Sequence, residues 1–150
     1  MANKILLALL ALLLVSCSTP TKPATSKPNF SGTWKLRSTG FSEIYTYSHR
    51  EPEFRVVMRI DDPNGQRTMD VSGQINGQEH KQTVLEFPAS FIAWWQGNEL
   101  VWEFKRDSQS GQFHTRRIMK LSPDGKTITT SRTSILPTEE RKWSEIWDRQ

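Results

Sequence analysis

The sequence predicts an all-β domain, a single antiparallel up-and-down meander barrel of eight to ten strands, and three observations carry that prediction. From Ser31 onward, apolar and polar residues alternate with the two-residue period of a half-buried strand. Turn signals interrupt the alternation about every eleven residues. No stretch sustains a helical period. The breaks fall at Ser38–Ser42, Glu51-Pro52, Asp61–Gly65, Asn76-Gly77, Pro88-Ala89, Gly97-Asn98, Asp107–Gly111, Pro123–Lys126 and Leu136–Thr138, and these nine leave ten strands. Closure of the meander removes its exposed edges.

Taken in order, the first strand carries Trp34 and Leu36 on one face and the second Tyr45, Tyr47 and His49. Phe54, Val56, Met58 and Ile60 mark the third, Met69 and Val71 the fourth, and His80, Gln82, Val84 and Glu86 the fifth. The sixth presents Phe91, Ala93 and Trp95, and the seventh Leu100, Trp102 and Phe104. The eighth has Phe113, Thr115, Arg117 and Met119, the ninth Ile128, Thr130 and Arg132, and the tenth Glu145. A two-residue turn fixes which residues face each other. Centred on Asn64-Gly65, it pairs Ile60 with Met69 and Met58 with Val71. Gly97-Asn98 pairs Trp95 with Leu100, Ala93 with Trp102 and Phe91 with Phe104. Asp124-Gly125 pairs Leu121 with Ile128 and Arg117 with Arg132. Pro88-Ala89 sets Phe91, Ala93 and Trp95 against Glu86, Val84 and Gln82, and a Pro137-Thr138 turn sets Glu145 opposite Thr130, diagonal to Arg132.

The inward face is therefore mixed, with Tyr45, Tyr47, His49, His80, Gln82, Glu86, Thr115, Arg117, Thr130, Arg132 and Glu145 among the apolar side chains. A close-packed core does not tolerate that many unpaired polar groups. A solvated cavity does, and a barrel of this size is wide enough for a small ligand, so the expectation is a hollow interior.

Asn29-Phe30-Ser31-Gly32-Thr33-Trp34-Lys35-Leu36 opens the domain, and its Gly-x-Trp resembles the calycin group, the lipocalins and fatty-acid-binding proteins. The resemblance covers residues 30–150 in architecture and only 30–36 in motif. It implies a lipocalin-like barrel holding an apolar small molecule, closed at one end by Trp34 beside Gly32. A basic side chain near the last strand would pack over that tryptophan: Arg149, with Arg141 second. Two departures stand out. Fatty-acid-binding proteins insert a two-helix lid after the first strand, where this chain has only Ser38–Ser42. They also clamp a carboxylate with Arg-x-Tyr on the last strand, where this chain has Arg141-Lys142-Trp143.

Residues 1–16 have a short positive start, an apolar run from Ile5 to Val15 and a small residue, Ser16, before Cys17. That is a signal peptide, too short to span a bilayer. Leu14-Val15-Ser16-Cys17 resembles the lipobox of bacterial lipoproteins, which implies a diacyl thioether and an amide-linked acyl chain, such as palmitate, on Cys17. Several chains anchor stably where one does not. Ser18 after the cysteine, by the same resemblance, favours the outer membrane facing the periplasm. Residues 17–29 are the lipidated Cys17 and a Ser/Thr/Pro/Lys-rich flexible tether, whose twelve residues from Ser18 to Asn29 reach up to roughly 37 Å. Lys22 and Lys27 read as solvated linker charges. The domain itself is residues 30–150.

Charge and cysteine usage then narrow the function. The chain carries a formal +4, but residues 30–150 hold 17 basic and 16 acidic side chains, so a nucleic-acid footprint is absent. A single cysteine excludes an internal disulfide and a multi-cysteine zinc site. His49, His80 and His114 lack ligand spacing, so no metal and no cofactor is expected. No nucleophile elbow or aligned triad occurs, and the chain reads as non-catalytic. Arg117 facing Arg132 demands an anion between or beside them. It is either a ligand's carboxylate or phosphate, with Tyr47, Trp95, Trp102 and Phe104 lining the cavity, or Glu145 in an internal Arg–Glu–Arg network. Ile92, Trp94 and Val101 fall on the outward face and mark a candidate partner surface, unless a loop covers them. The reading is a cell-envelope lipoprotein that binds a small hydrophobic or amphipathic molecule. The alternative is an envelope interaction or inhibitor module with a filled interior.

Overall fold

The computed structural model describes residues 26–38, 40–63, 65–109, 111–135 and 138–150. Residues 1–25, on which the expected signal peptide at 1–16, Cys17 and most of the expected tether fall, lie outside the described residues. Ten strands follow in chain order: β1 (Gly32–Leu36), β2 (Ser42–Arg50), β3 (Glu53–Asp62), β4 (Gly65–Gln74), β5 (His80–Val84), β6 (Phe87–Gln96), β7 (Glu99–Arg106), β8 (Phe113–Leu121), β9 (Thr127–Ile135) and β10 (Glu140–Arg149). They form one antiparallel sheet in the order β4-β3-β2-β1-β10-β9-β8-β7-β6-β5, which curls into a nearly closed barrel. First and last strands pair at its centre, through Trp34–Arg149, Lys35–Asp148 and Leu36–Trp147.

Alternation places the core. In β2 and β3, Tyr45, Tyr47, Phe54, Val56 and Met58 are buried while Thr46, Ser48, Arg55 and Arg59 face out. The Gly97-Asn98 and Asp124-Gly125 registers stand as the turn residues dictate: Phe91 faces Phe104, Ala93 faces Trp102, and Arg117 faces Arg132. Glu145 lies opposite Thr130.

Two registers are corrected. The β3–β4 ladder closes with Asp62 on Gly65, so Met58 faces Met69 and Ile60 faces Arg67. Pro63, with a fixed φ and no N–H, belongs in the turn rather than the ladder. The shift is two residues, an even number, so every side chain keeps its face. The β5–β6 turn sits at Leu85-Glu86, not Pro88-Ala89. Both residues have positive φ, 50° and 66°, as a two-residue hairpin turn of the primed type requires. Pro88 and Ala89 lie inside β6, where Ala89 faces Gln82. Glu86 is consequently an exposed turn residue and not an inward one. His80 faces Phe91, and Val84 faces Phe87.

Candidate functional site

The barrel interior is filled. Phe30, Trp34, Tyr45, Phe54, Phe91, Trp102, Phe104, Met119 and Trp147 each expose 1% or less. A residual void of about 20 Å³ lies among Tyr45, Met58, Trp102, Phe104, Arg117 and Arg132. That is room for about one water molecule and not for a ligand. The hollow interior expected from the polar inward residues is corrected, because those residues satisfy one another.

Arg117, on β8 and 1% exposed, is the hub. Its Nη1 donates to Glu145 Oε2 at 2.6 Å and its Nη2 to the Tyr45 hydroxyl at 2.9 Å. The guanidinium also lies 4.9, 5.4 and 5.5 Å from the Tyr45, Trp102 and Trp147 rings. The Tyr45 hydroxyl in turn donates a hydrogen bond to Glu43 Oε2 at 2.8 Å. Glu145 receives three further donors: Arg132 Nη1 at 3.0 Å, Trp143 Nε1 at 2.9 Å and Trp147 Nε1 at 3.3 Å. Glu43 completes the set, 3.9 Å from Arg117 and 3.7 Å from Arg132. Two guanidiniums and two carboxylates balance, so the anion between the arginines comes from the protein.

Electrostatics follow from that geometry. Burial works to raise Glu145, but the charges of Arg117 and Arg132, with hydrogen bonds from Arg132 and Trp143, hold it below the usual carboxylate range. Burial pushes the Tyr45 and Tyr47 phenols far above theirs, against the opposing charge of Arg117, and both stay protonated. Burial opposes the Arg117 charge, yet the Glu145 and Glu43 carboxylates, with the Tyr45 hydroxyl it donates to, more than restore it and hold its pKa above the ordinary value.

The closed end lies opposite the network. Phe30 is fully buried beside His49 and Trp95, and the Trp34 indole donates to the Phe30 carbonyl at 3.0 Å. Arg149 sits 4.2 Å over the Trp34 ring and donates to Ser31 O at 2.8 Å and Gly125 O at 2.7 Å. A Cβ on Gly32, at φ +135°, would stand 2.5 Å from Arg149 Nη1. Arg141 instead pairs with Glu139 at the surface. Lys27 is not merely a solvated linker charge: its ammonium donates to Gly97 O at 2.6 Å, 5.2 Å from the Trp95 ring.

The opposite end, where β1 runs into β2 and β10 begins, carries a groove of about 460 Å³. Leu36, Phe41, Trp143 and Ile146 are its apolar lining, with Arg132 and Glu145 at its polar part. Phe41, Trp143 and Ile146 are three of the four large exposed apolar side chains among the described residues. Arg132 lies 4.9 Å from the Trp143 ring, and its Nε is buried with no hydrogen-bond partner.

The expected ligand residues thus separate. Arg132 lines the groove, whereas Arg117, Tyr47, Trp102 and Phe104 are buried beneath it in the core. Trp95 belongs to the closed end, where its indole donates to Glu51 at 2.7 Å. On the outer face, Ile92 and Trp94 are partly exposed, but Val101 is corrected: it is 1% exposed, flanked across the ladder by Trp94 and Ile118. No group of three or more metal-ligating side chains occurs among the described residues.

The topology decides the fold. It is that of the fatty-acid-binding barrels. A crystal structure of secretory abundant heat soluble protein 4 from Ramazzottius varieornatus matches with a TM-score of 0.60 at 14% identity, over 86% of this chain and 99% of that one. A Schistosoma mansoni fatty-acid-binding protein in complex with arachidonic acid matches at 0.53 and 10% identity, over 81% and 96%. The fatty-acid-binding protein of Manduca sexta matches at 0.50 and 10% identity, over 80% and 99%. No family model matches the sequence, and no curated protein matches it. In this barrel the space enclosed by the sheet is occupied by the Arg117 network and the aromatic side chains around it.

Sequence reasoning missed Glu43 and Phe30. Glu43 had a signal, since the alternation through Tyr45, Tyr47 and His49 extends back to it on the same face. Phe30 had one as well: it precedes β1, but counting back by twos from Leu36 and Trp34 through Gly32 puts it on the same face.

Proposed function

We propose that the chain is a cell-envelope lipoprotein whose barrel binds a small amphipathic molecule non-catalytically, in the groove over Arg132 rather than in a central cavity. In this reading residues 1–16 are removed, Cys17 carries the acyl chains, residues 17–29 tether the domain, and the anchor is the bacterial outer membrane on its periplasmic side. One observation carries the binding site: three of the four large exposed apolar side chains described converge on one groove whose polar part is an arginine with an unpartnered Nε. Its volume of about 460 Å³ falls among small-molecule sites. The barrel's likeness to proteins named for fatty-acid binding supports the ligand class.

The test is titration of the Cys17→Ala chain with oleate and with lysophosphatidylcholine, read by native mass spectrometry and tryptophan fluorescence. One-to-one saturable binding is expected. Phe41→Ser and Ile146→Ser should each weaken it about tenfold, equal to about 1.4 kcal/mol, without lowering the melting temperature. The anchor is tested separately: Cys17→Ala should abolish the lipid mass increment and release the protein from membranes. Continued membrane retention without a mass increment would refute the anchor.

The filled, charge-balanced interior favours a second reading, an interaction module working through its outer surface at Ile92 and Trp94. A folded chain that binds neither probe would move the assignment there.

A further inference from the structure

The outer face of β5, β6 and β7 carries cations that the protein leaves unpaired. Strand pairing sets Lys81 opposite Ser90 and Ser90 opposite Lys105, so two ammonium groups flank one small hydroxyl in a single row. With neighbouring strands about 4.8 Å apart, the two lysine backbones stand roughly 10 Å from each other, and an anion seated over Ser90 meets both. Arg106 lines the same groove of about 360 Å³, its Nε buried with no hydrogen-bond partner and its guanidinium 5.8 Å from the Phe87 ring. Among the described residues, Lys81, Lys105 and Arg106 make no ion pair. By contrast, Arg37, Arg55 and Arg116 on the outer surface each hold a carboxylate, Asp148, Asp70 and Glu103. Two carboxylates share the groove, Glu79 and Asp107. Asp107 accepts from Gln112 Nε2 at 3.1 Å, and Glu79 makes no ion pair with either lysine.

A second hollow of about 140 Å³ continues the groove along β6, sharing Glu79, Ser90 and Lys105 and adding Ile92, Trp94 and Glu103. Beside it the outward Val101 is 1% exposed between Trp94 and Ile118, so this end is apolar. The trough therefore runs from cations to an indole. Its outward residues Ser90, Ile92 and Trp94 recur every two positions, roughly 6.8 Å apart. An extended chain laid along β6 presents its own alternate side chains at that spacing. We propose that this face docks an extended acidic segment of a partner protein, its carboxylate between Lys81 and Lys105 over Ser90 and its apolar side chains, two and four residues further on, against Ile92 and Trp94. A continuous anionic membrane surface fits worse, because the carboxylates of Glu79, Glu103 and Asp107 border the trough. A single carboxylate needs only the space between two ammonium groups. The site shares no residue with the groove over Arg132; it gives the second reading above a partner chemistry and stands without the first.

Amide chemical shifts of the Cys17→Ala chain, titrated with the end-capped nonapeptide Leu-Ser-Leu-Ser-Glu-Ser-Leu-Ser-Leu, test the surface. Leucines flank the glutamate on both sides, so the peptide reads β6 in either direction. Saturable shifts are expected at Ser90, Ile92, Trp94 and Lys105, with a dissociation constant below about 1 mM. Lysine in place of the central glutamate should weaken binding at least tenfold, as should Lys81→Gln with Lys105→Gln in the protein. Both lysines reach the surface without partners, so the melting temperature of that variant should not move. Glu79→Gln should tighten binding about two- to threefold by removing an opposing carboxylate. Saturating oleate should leave the peptide's affinity within twofold. Equal binding of the two peptides, shifts spread over the whole barrel, or no shifts at all would overturn the assignment. Displacement by oleate, or retention on phosphatidylglycerol vesicles with no response to the peptide, would make this face a lipid surface and overturn it equally.

Discussion

Glu145→Gln is expected to destabilise the barrel by about 3–5 kcal/mol, read as a shift in denaturant midpoint at unchanged slope. The carboxylate accepts from Arg117, Arg132, Trp143 and Trp147, so its removal leaves two guanidiniums on facing residues with Glu43 alone, more than 3.5 Å from either. Breaking one member of a buried pair costs more than the pair is worth, because the surviving charge stays desolvated. Arg117→Met together with Glu145→Leu should therefore cost less than Glu145→Gln alone. If the arginines instead served mainly to hold a ligand anion, Glu145→Gln would leave stability near its starting value and tighten anion binding.

The same carboxylate makes the barrel acid-sensitive. Its folded-state pKa lies below its ordinary value of 4.5, so the folded state binds this proton less readily than the unfolded chain. The stabilisation is fully present above about pH 4.5 and is lost as pH falls through the folded value. Asp70, Glu103 and Asp148 are also lowered by their cationic partners, so some acid slope persists in any variant. The expected result is that Glu145→Gln flattens the fall in unfolding free energy below that pH without abolishing it.

Particular residues show why the fold was more legible than the site. Gly97-Asn98 and Asp124-Gly125 are strong local turn signals, and the ladders on either side obey them. Leu85-Glu86 adopts the same left-handed geometry without a glycine or asparagine, held there by the flanking β5–β6 pairing. Tertiary context overrode local preference, and Pro88-Ala89, a better turn by composition, became strand. Parity then placed most polar residues inward correctly but could not say whether they meet water or each other. Arg117 and Arg132 as facing partners were readable; the reach of Glu43 and Tyr45 across the barrel to Arg117 was not, since closure brings β2 against β8 from 72 residues away. Gln82 shows the same limit: a meander sets β5 next to β4, but not that a side-chain amide, rather than backbone, makes the join to Ser72.

Trp34→Ala is expected to cost about 3–5 kcal/mol, because a fully buried indole is lost together with its bond to the Phe30 carbonyl. Arg149→Ala should cost about 1–2 kcal/mol, from its contact with the ring and its two backbone carbonyl partners. The informative quantity is the coupling. If Arg149 works by capping the indole, its loss should cost about 0.5–1 kcal/mol less in the Trp34→Ala background. Independent, additive losses would mean that Arg149 acts through Ser31 and Gly125 alone. Gly32→Ala supplies the third corner: a methyl 2.5 Å from Nη1 must move the guanidinium off the ring, so that part of its cost should vanish once Arg149 is gone, while the strain of an alanine at φ +135° remains. Glycine, tryptophan and arginine then behave as one closure, in which the small residue at 32 exists to let the cation from the last strand reach the ring on the first.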